Sequence, residues 1–254
     1  MVTRRPPSRV GIKFLETMAQ GQWAEEKVRE AINVHPLLTG IKYGQSRWLF
    51  SSKDEFKAYW KKLHEQIMKY GKRPDTLIFK KGEVSEDLDL SERDEEDIMD
   101  IVAKSIAGLE CRSSTWILEK YRKSTGRDLN FTIKNEDLDV IKKWMTTYKN
   151  KRVYYVQLFF NGSFAISFDE IMKILNTGKK GYDYIVKKES KTGKLTYKIP
   201  VSKGVKFAEC VEMPTLGSKT LIDEIGQVMA IRTPEGGKYA LSEEFVNDLM
   251  CKRG

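Results

Sequence analysis

Cysteine and histidine are scarce in this 254-residue chain: three cysteines (Cys111, Cys210, Cys251) and two histidines (His35, His64). No two cysteines form a CxxC pair, so a zinc ribbon, a histidine-rich metal site and a disulfide scaffold find no support. A reducing cytosol is the expected setting. Long apolar runs are also missing. None approaches the roughly 20 residues of a membrane helix. Residues 1–10 carry charge with no apolar stretch behind them, so no secretory signal is expected. There are no internal repeats and no low-complexity linker. What remains is 40% hydrophobic and 32% charged, with a mean hydropathy of −0.50. That is a soluble globular balance, in a chain long enough to bury a real core as one domain or one domain with a small appended unit.

Charge is unevenly placed. Forty-five Lys and Arg face 36 Asp and Glu, a net of +9. Residues 83–100 (EVSEDLDLSERDEEDIMD) hold ten acids and one base, or −9, which leaves +18 on the rest of the chain. A basic body with one segregated acidic stretch suits a polyanion partner, because neutralised phosphates release counterions. A generally lysine-rich composition describes the same excess.

Periodicity outlines the elements. A helix is expected over residues 14–33, with Ala24, Val28, Ala31 and Ile32 as its buried stripe. Ser52 with Glu55 forms a capping box for a second helix ending at Gly71. Residues 74–79 read as a strand, and Ser91 as the N-cap of a helix over 92–104. Strand 106–112, helix 116–123, strand 130–134 and a helix capped by Asn135 follow. The strongest strand is 153–160 (VYYVQLFF), apolar or aromatic on both faces except at Gln157, which implies a central, doubly covered position. Strand 163–167 and helix 168–175 complete an α/β core with a central mixed sheet flanked by helices, over residues 1–177. Residues 178–254 read as a β-rich extension. Strands 182–188 and 195–201 flank a hairpin turn at 190–193, further β character lies at 205–211 and 228–231, and a last helix spans 242–250.

Two carboxylates carry the chemistry. Asp75 follows Pro74 at the start of one apolar strand, and Glu110 ends another, with Arg112 two residues on. Strand alternation puts Glu110 and Arg112 on one face and Cys111 on the other, in the core. If the two strands are neighbours, Asp75 and Glu110 converge beside a guanidinium. Their oxygens suit Mg²⁺, which keeps several waters and accepts phosphate oxygens. A nearby cation stabilises charge developing on a phosphoryl group, the minimum kit for metal-assisted phosphodiester hydrolysis. Taken singly, Asp75 is a strand-start turn residue and Glu110–Arg112 a surface ion pair. Chain order and the basic body favour a site. Ser113 and Ser114 read as the N-cap of the following helix, and Tyr154, Tyr155, Phe159 and Phe160 as packing residues.

Pro74-Asp75, a spacer, then Glu110-Cys111-Arg112 resembles the PD-(D/E)xK nuclease motif. With GLECRSSTW, NFTIKNEDL, YYVQLFF and FAISF, residues 23–175 are similar to the type II restriction endonucleases of that superfamily. The resemblance implies that Asp75 and Glu110 bind the divalent metal and that a lysine beside them handles the attacking water. Arg112 stands where that lysine would be, and arginine does not deprotonate at working pH. It can still clamp the scissile phosphate. The base is then a hydroxide on the metal, a phosphate, bulk water or a relocated lysine. Lys134 is the candidate, ending strand 131–134, which would lie next to that of Glu110. Glu25, about 100° around the first helix from Ala24, can reach the sheet edge where Glu26 cannot. Related nucleases often place such a glutamate near the metal. The acidic helix is expected to be an insertion directed away from DNA.

Residues 177–219 carry ten lysines against four acids. Lys187, Lys188, Lys191, Lys194, Lys198, Lys203 and Lys206 on this β extension are the expected DNA contacts, in a ribbon that fits the major groove. A solvated hairpin describes the same alternation. The leading expectation is a homodimeric, Mg²⁺-dependent restriction endonuclease cutting both strands of duplex DNA at a short palindrome, with no membrane partner and no nucleotide cofactor. A structure-selective repair or junction nuclease, and a DNA-binding protein without activity, are the alternatives.

Overall fold

The computed structural model describes residues 12–45, 50, 52–126, 128–190, 193–222 and 228–251. Twelve strands and seven helices follow one another among them. In chain order they are α1 (Ile12–Val34), β1 (Leu38–Lys42), α2 (Lys53–Tyr70), β2 (Thr76–Lys80), α3 (Glu95–Lys104), β3 (Ala107–Ser113), α4 (Leu118–Thr125), β4 (Asn130–Lys134), α5 (Asn135–Thr147), β5 (Arg152–Phe159), β6 (Gly162–Ser167) and α6 (Phe168–Thr177). Then come β7 (Ile185–Lys188), β8 (Leu195–Pro200), β9 (Val205–Glu212), β10 (Thr215–Ile222), β11 (Val228–Glu235), β12 (Lys238–Leu241) and α7 (Glu243–Cys251).

Seven strands form a mixed sheet in the order β1-β2-β3-β5-β6-β9-β12. Only β3 and β5 run parallel in it. A parallel pair needs a long crossover, and α4, β4 and α5 supply it. Alternation along β5 feeds two cores. Val153, Tyr155 and Phe159 face α3, α5 and α6, where Ile98, Val102, Ile141, Trp144 and Ile171 are buried. Tyr154, Val156 and Leu158 face α1 and α7, against Val28, Ile32, Phe245 and Leu249. Both faces of the central strand are covered, as its continuous apolar run predicts.

Several expectations change. Strand β4 is not beside β3: it pairs with β8, and β8 with β7, in a separate three-stranded sheet. The neighbours of β3 are β2 and β5. β9 and β12 join the large sheet, so strands from both sides of residue 177 share it. Ser91 caps nothing. It is buried and donates from its amide (2.8 Å) and hydroxyl (2.6 Å) to Asp89 Oδ1, while α3 begins four residues later. Helix α3 packs into the fold, with Ile98 and Val102 buried and Glu95 ion-pairing with Arg73 in the interior. The first amide of α4 is capped from a distance, Leu118 N donating to Asn161 Oδ1 at 2.9 Å. Neither Ser113 nor Ser114 fills that role.

Candidate active site

Strands β2 and β3 pair antiparallel, with Thr76 opposite Leu109 and Leu77 opposite Gly108. Continuing that register sets Asp75 opposite Glu110, and directly opposed residues project from the same side of a sheet. The two carboxylates therefore project from one side of adjacent strands, and Glu110 is among the charges that act on Asp75. Asp75 is held at three points. Its carbonyl accepts from Tyr43 N and Gly44 N, both at 3.1 Å, and its Oδ2 accepts from Cys111 N at 2.7 Å. Gly108 makes the approach possible. A Cβ there would lie 2.5 Å from Pro74 Cγ, so the proline ring sits directly over the bare backbone of β3.

Glu110 is fully buried. Its Oε1 meets Lys72 Nζ at 2.5 Å and an Arg112 guanidinium nitrogen at 2.7 Å. Both cations also reach Asp137 in the first turn of α5, Lys72 at 3.2 Å and Arg112 at 2.7 Å. These four side chains form a closed square of alternating charge, in which Asp137 is pulled below the usual carboxylate range. Burial opposes that shift, but the Lys72 and Arg112 charges outweigh it. Lys72 stays protonated, because Glu110, Asp137 and Asp75 overcome the burial that would lower it. Arg112 is likewise held charged against burial by Glu110 and Asp137.

Lys72 is the residue that sequence reasoning missed, although it lies three positions before Asp75. The chain reaches it through Gly71, whose φ of 89° and approach to Trp144 N and Val140 O leave no room for a side chain. Lys72 N then donates to Val140 O at 2.9 Å, laying the lysine across α5 toward Asp137. Lys134, the expected relocated lysine, is exposed at the end of β4 in the other sheet. Its placement there follows from β4 pairing with β8.

Asp75 differs from the square because, among the described residues, no cation ion-pairs with it. Burial, then Glu110 and then Glu25 push its pKa well above the ordinary aspartate value. Glu25, on α1, is itself raised by burial, and Glu110 adds to this against the lowering by Arg29. Glu25 is thus part of the same electrostatic field, while Glu26 is exposed. Among the described residues no three Asp, Glu, His or Cys side chains already form a cation cage. The carboxylate pair nevertheless fits a hard divalent ion that keeps most of its ligands as water or phosphate oxygens. Glu110 Oε2 is buried with no hydrogen-bond partner among the described residues, and a buried unpaired carboxylate oxygen is costly unless something meets it.

The expected DNA-contacting lysines are spread over two sheets. Lys187 and Lys188 are exposed on β7. Lys194 ion-pairs with Glu136 at 2.7 Å, and Lys198 is half-buried, donating to Thr132 Oγ1 at 2.6 Å. Lys203 pairs with Asp183 and Lys206 with Glu209. Lys191 lies outside the described residues. Tyr197 donates its hydroxyl to Asn135 Oδ1 at 2.9 Å. Together with Lys194–Glu136, this fastens the β7–β8 hairpin to the first turn of α5, which delivers Asp137 to the acidic site.

Neither a curated protein nor a solved structure matches the chain. A family model described as AccI restriction endonuclease does match, over residues 2–127 and 123–251. The two segments together span nearly the whole chain, and the protein belongs to the AccI restriction endonuclease family.

Proposed function

We propose that the protein hydrolyses both strands of duplex DNA at a short palindromic sequence, as a homodimer, with Mg²⁺ held by Asp75 and Glu110. The observation that carries this reading is the placement of those two carboxylates on one side of adjacent strands, Asp75 raised in pKa by burial and then by Glu110, and Glu110 with an oxygen that finds no partner among the described residues. A divalent ion relieves both conditions at once. When bound, it supplies Lewis-acid polarisation of the phosphate and an acidified water.

The chain's own residues divide the remaining work. Glu110 is fixed by Lys72 and Arg112 and so presents its free oxygen in one orientation. Neither cation can act as a general base, since both are held charged. Each instead offers fixed positive charge where negative charge grows on the phosphorus oxygens. Glu25 adds a third carboxylate near the same point. Lys187 and Lys188, exposed on β7 of the sheet whose β8 is tied to the first turn of α5, are the candidates for phosphate contacts outside the site.

Plasmid digestion tests the proposal. Wild-type protein yields discrete bands with Mg²⁺ and none with EDTA. Asp75→Ala and Glu110→Ala remove the bands while binding duplex as before. A uniform smear, cleavage confined to branched substrates, or undiminished cutting by either variant would overturn it.

A further inference from the structure

A second orphaned group faces the same carboxylate. Strands β3 and β5 pair in parallel with Glu110 opposite Tyr155, so both side chains project from one face of the sheet. Tyr155 is 1% exposed, and its hydroxyl has no hydrogen-bond partner among the described residues. On the next rung the Oε1 of Gln157, opposite Arg112, is also buried and unpartnered. By contrast Tyr154, on the other face, gives its hydroxyl to Asp248 at 2.8 Å. Buried hydroxyls find partners as a rule, and phenylalanine would fill the Tyr155 volume without the desolvation cost. An oxygen retained at that position is explained by a partner that arrives with the substrate.

We propose that Tyr155 belongs to the catalytic centre, its hydroxyl donating a hydrogen bond to the water that attacks the scissile phosphorus. This rests on the nuclease reading above. A water held between Tyr155 and Glu110 accepts from the phenol and sits beside Glu110 Oε2, the oxygen that also faces the metal, with a lone pair aimed outward. In the reaction the water oxygen bonds to phosphorus and gives up one proton to bulk solvent, the phosphorus–oxygen bond to the leaving nucleotide breaks, and the leaving oxygen takes a proton from solvent. Tyr155 gains and loses no proton. Burial and the Glu110 charge push its pKa above that of a free phenol, which keeps the donor hydrogen in place. Orientation of a reacting water in this way contributes through geometry and not through acid–base exchange.

The experiment compares Tyr155→Phe with Tyr154→Phe in three assays. These are single-turnover plasmid cleavage with Mg²⁺, duplex binding with Ca²⁺ in place of Mg²⁺, and thermal melting in EDTA. For Tyr155→Phe, cleavage falls about 10- to 100-fold, duplex binding stays within twofold, and the melting temperature in EDTA is unchanged or higher. Tyr154→Phe melts lower and cleaves at the wild-type rate. Cleavage by Tyr155→Phe within threefold of wild type overturns the proposal. So does a rate loss matched by lower melting in EDTA, because the hydroxyl would then make a structural bond. Failure of the underlying reading looks different: Asp75→Ala would still cut.

Discussion

Substituting Gly108 by alanine separates the geometry of the site from its chemistry. No charged group changes. The new Cβ would stand 2.5 Å from Pro74 Cγ and 2.9 Å from Pro74 Cβ, so the ring must retreat by about 1 Å to reach ordinary contact. A proline ring cannot fold aside as a long side chain can, and Asp75 is the next residue, so the carboxylate moves with it. Overpacking of this kind costs about 1–3 kcal/mol, and for a chain of this size each kcal/mol lowers Tm by about 2–4 °C. The effect on cleavage is larger in proportion, because a misplacement of about 1 Å at a reacting centre costs about 100-fold in rate. Gly21→Ala is the control. Nothing lies within 4 Å of a Cβ there, and alanine in a helix is favoured by about 1 kcal/mol. The assays are calorimetry in EDTA and single-turnover cleavage with Mg²⁺. Cleavage by Gly108→Ala within threefold of wild type would refute the claim that Pro74 sets the Asp75–Glu110 approach.

Two further outcomes follow from the charge arrangement. Asp75 has a raised pKa in the folded protein, so its contribution to stability is complete below the ordinary aspartate value and is lost as pH rises through the folded value. In EDTA, Asp75→Asn therefore gains stability relative to wild type with rising pH, and Mg²⁺ narrows the gap. Parallel melting profiles for the two proteins would contradict this. Glu95→Gln leaves the Arg73 guanidinium buried without its ion pair, which costs about 3–5 kcal/mol. A loss below about 1 kcal/mol in urea unfolding would show that the carbonyls of Leu90 and Arg93, which Arg73 also contacts, suffice alone.

The local patterns that placed Asp75 and Glu110 were legible because strand alternation and the Pro74 turn act over a few residues. The apolar run of β5 announced its central position for the same reason. What stayed hidden depends on pairing over long separations. Lys134 ends a strand of the right character, but nothing in residues 131–134 says that the partner is β8, more than 60 residues later. Lys72 sat in plain view within GKRPD. It reads as a solvated lysine until the turn at Gly71 and the packing of α5 bring it to Glu110 and Asp137. Asp137, in the first turn of α5, bridges two cations only because the fold brings Lys72 and Arg112 to it. β1 (LTGIK), β10 and β12 are short or glycine-containing, and they become strands because neighbours complete their hydrogen bonds. Glu95 is buried by a partner, Arg73, that charge counting cannot assign.

Anomalous diffraction from crystals grown with Mn²⁺ and a cognate duplex tests the central claim most directly. The expected peak lies within coordination distance of carboxylate oxygens from both Asp75 and Glu110, with a phosphate oxygen completing its shell and the Lys72 and Arg112 contacts to Glu110 intact. A peak elsewhere on the protein, with those two carboxylates still bound only to protein groups, would contradict it.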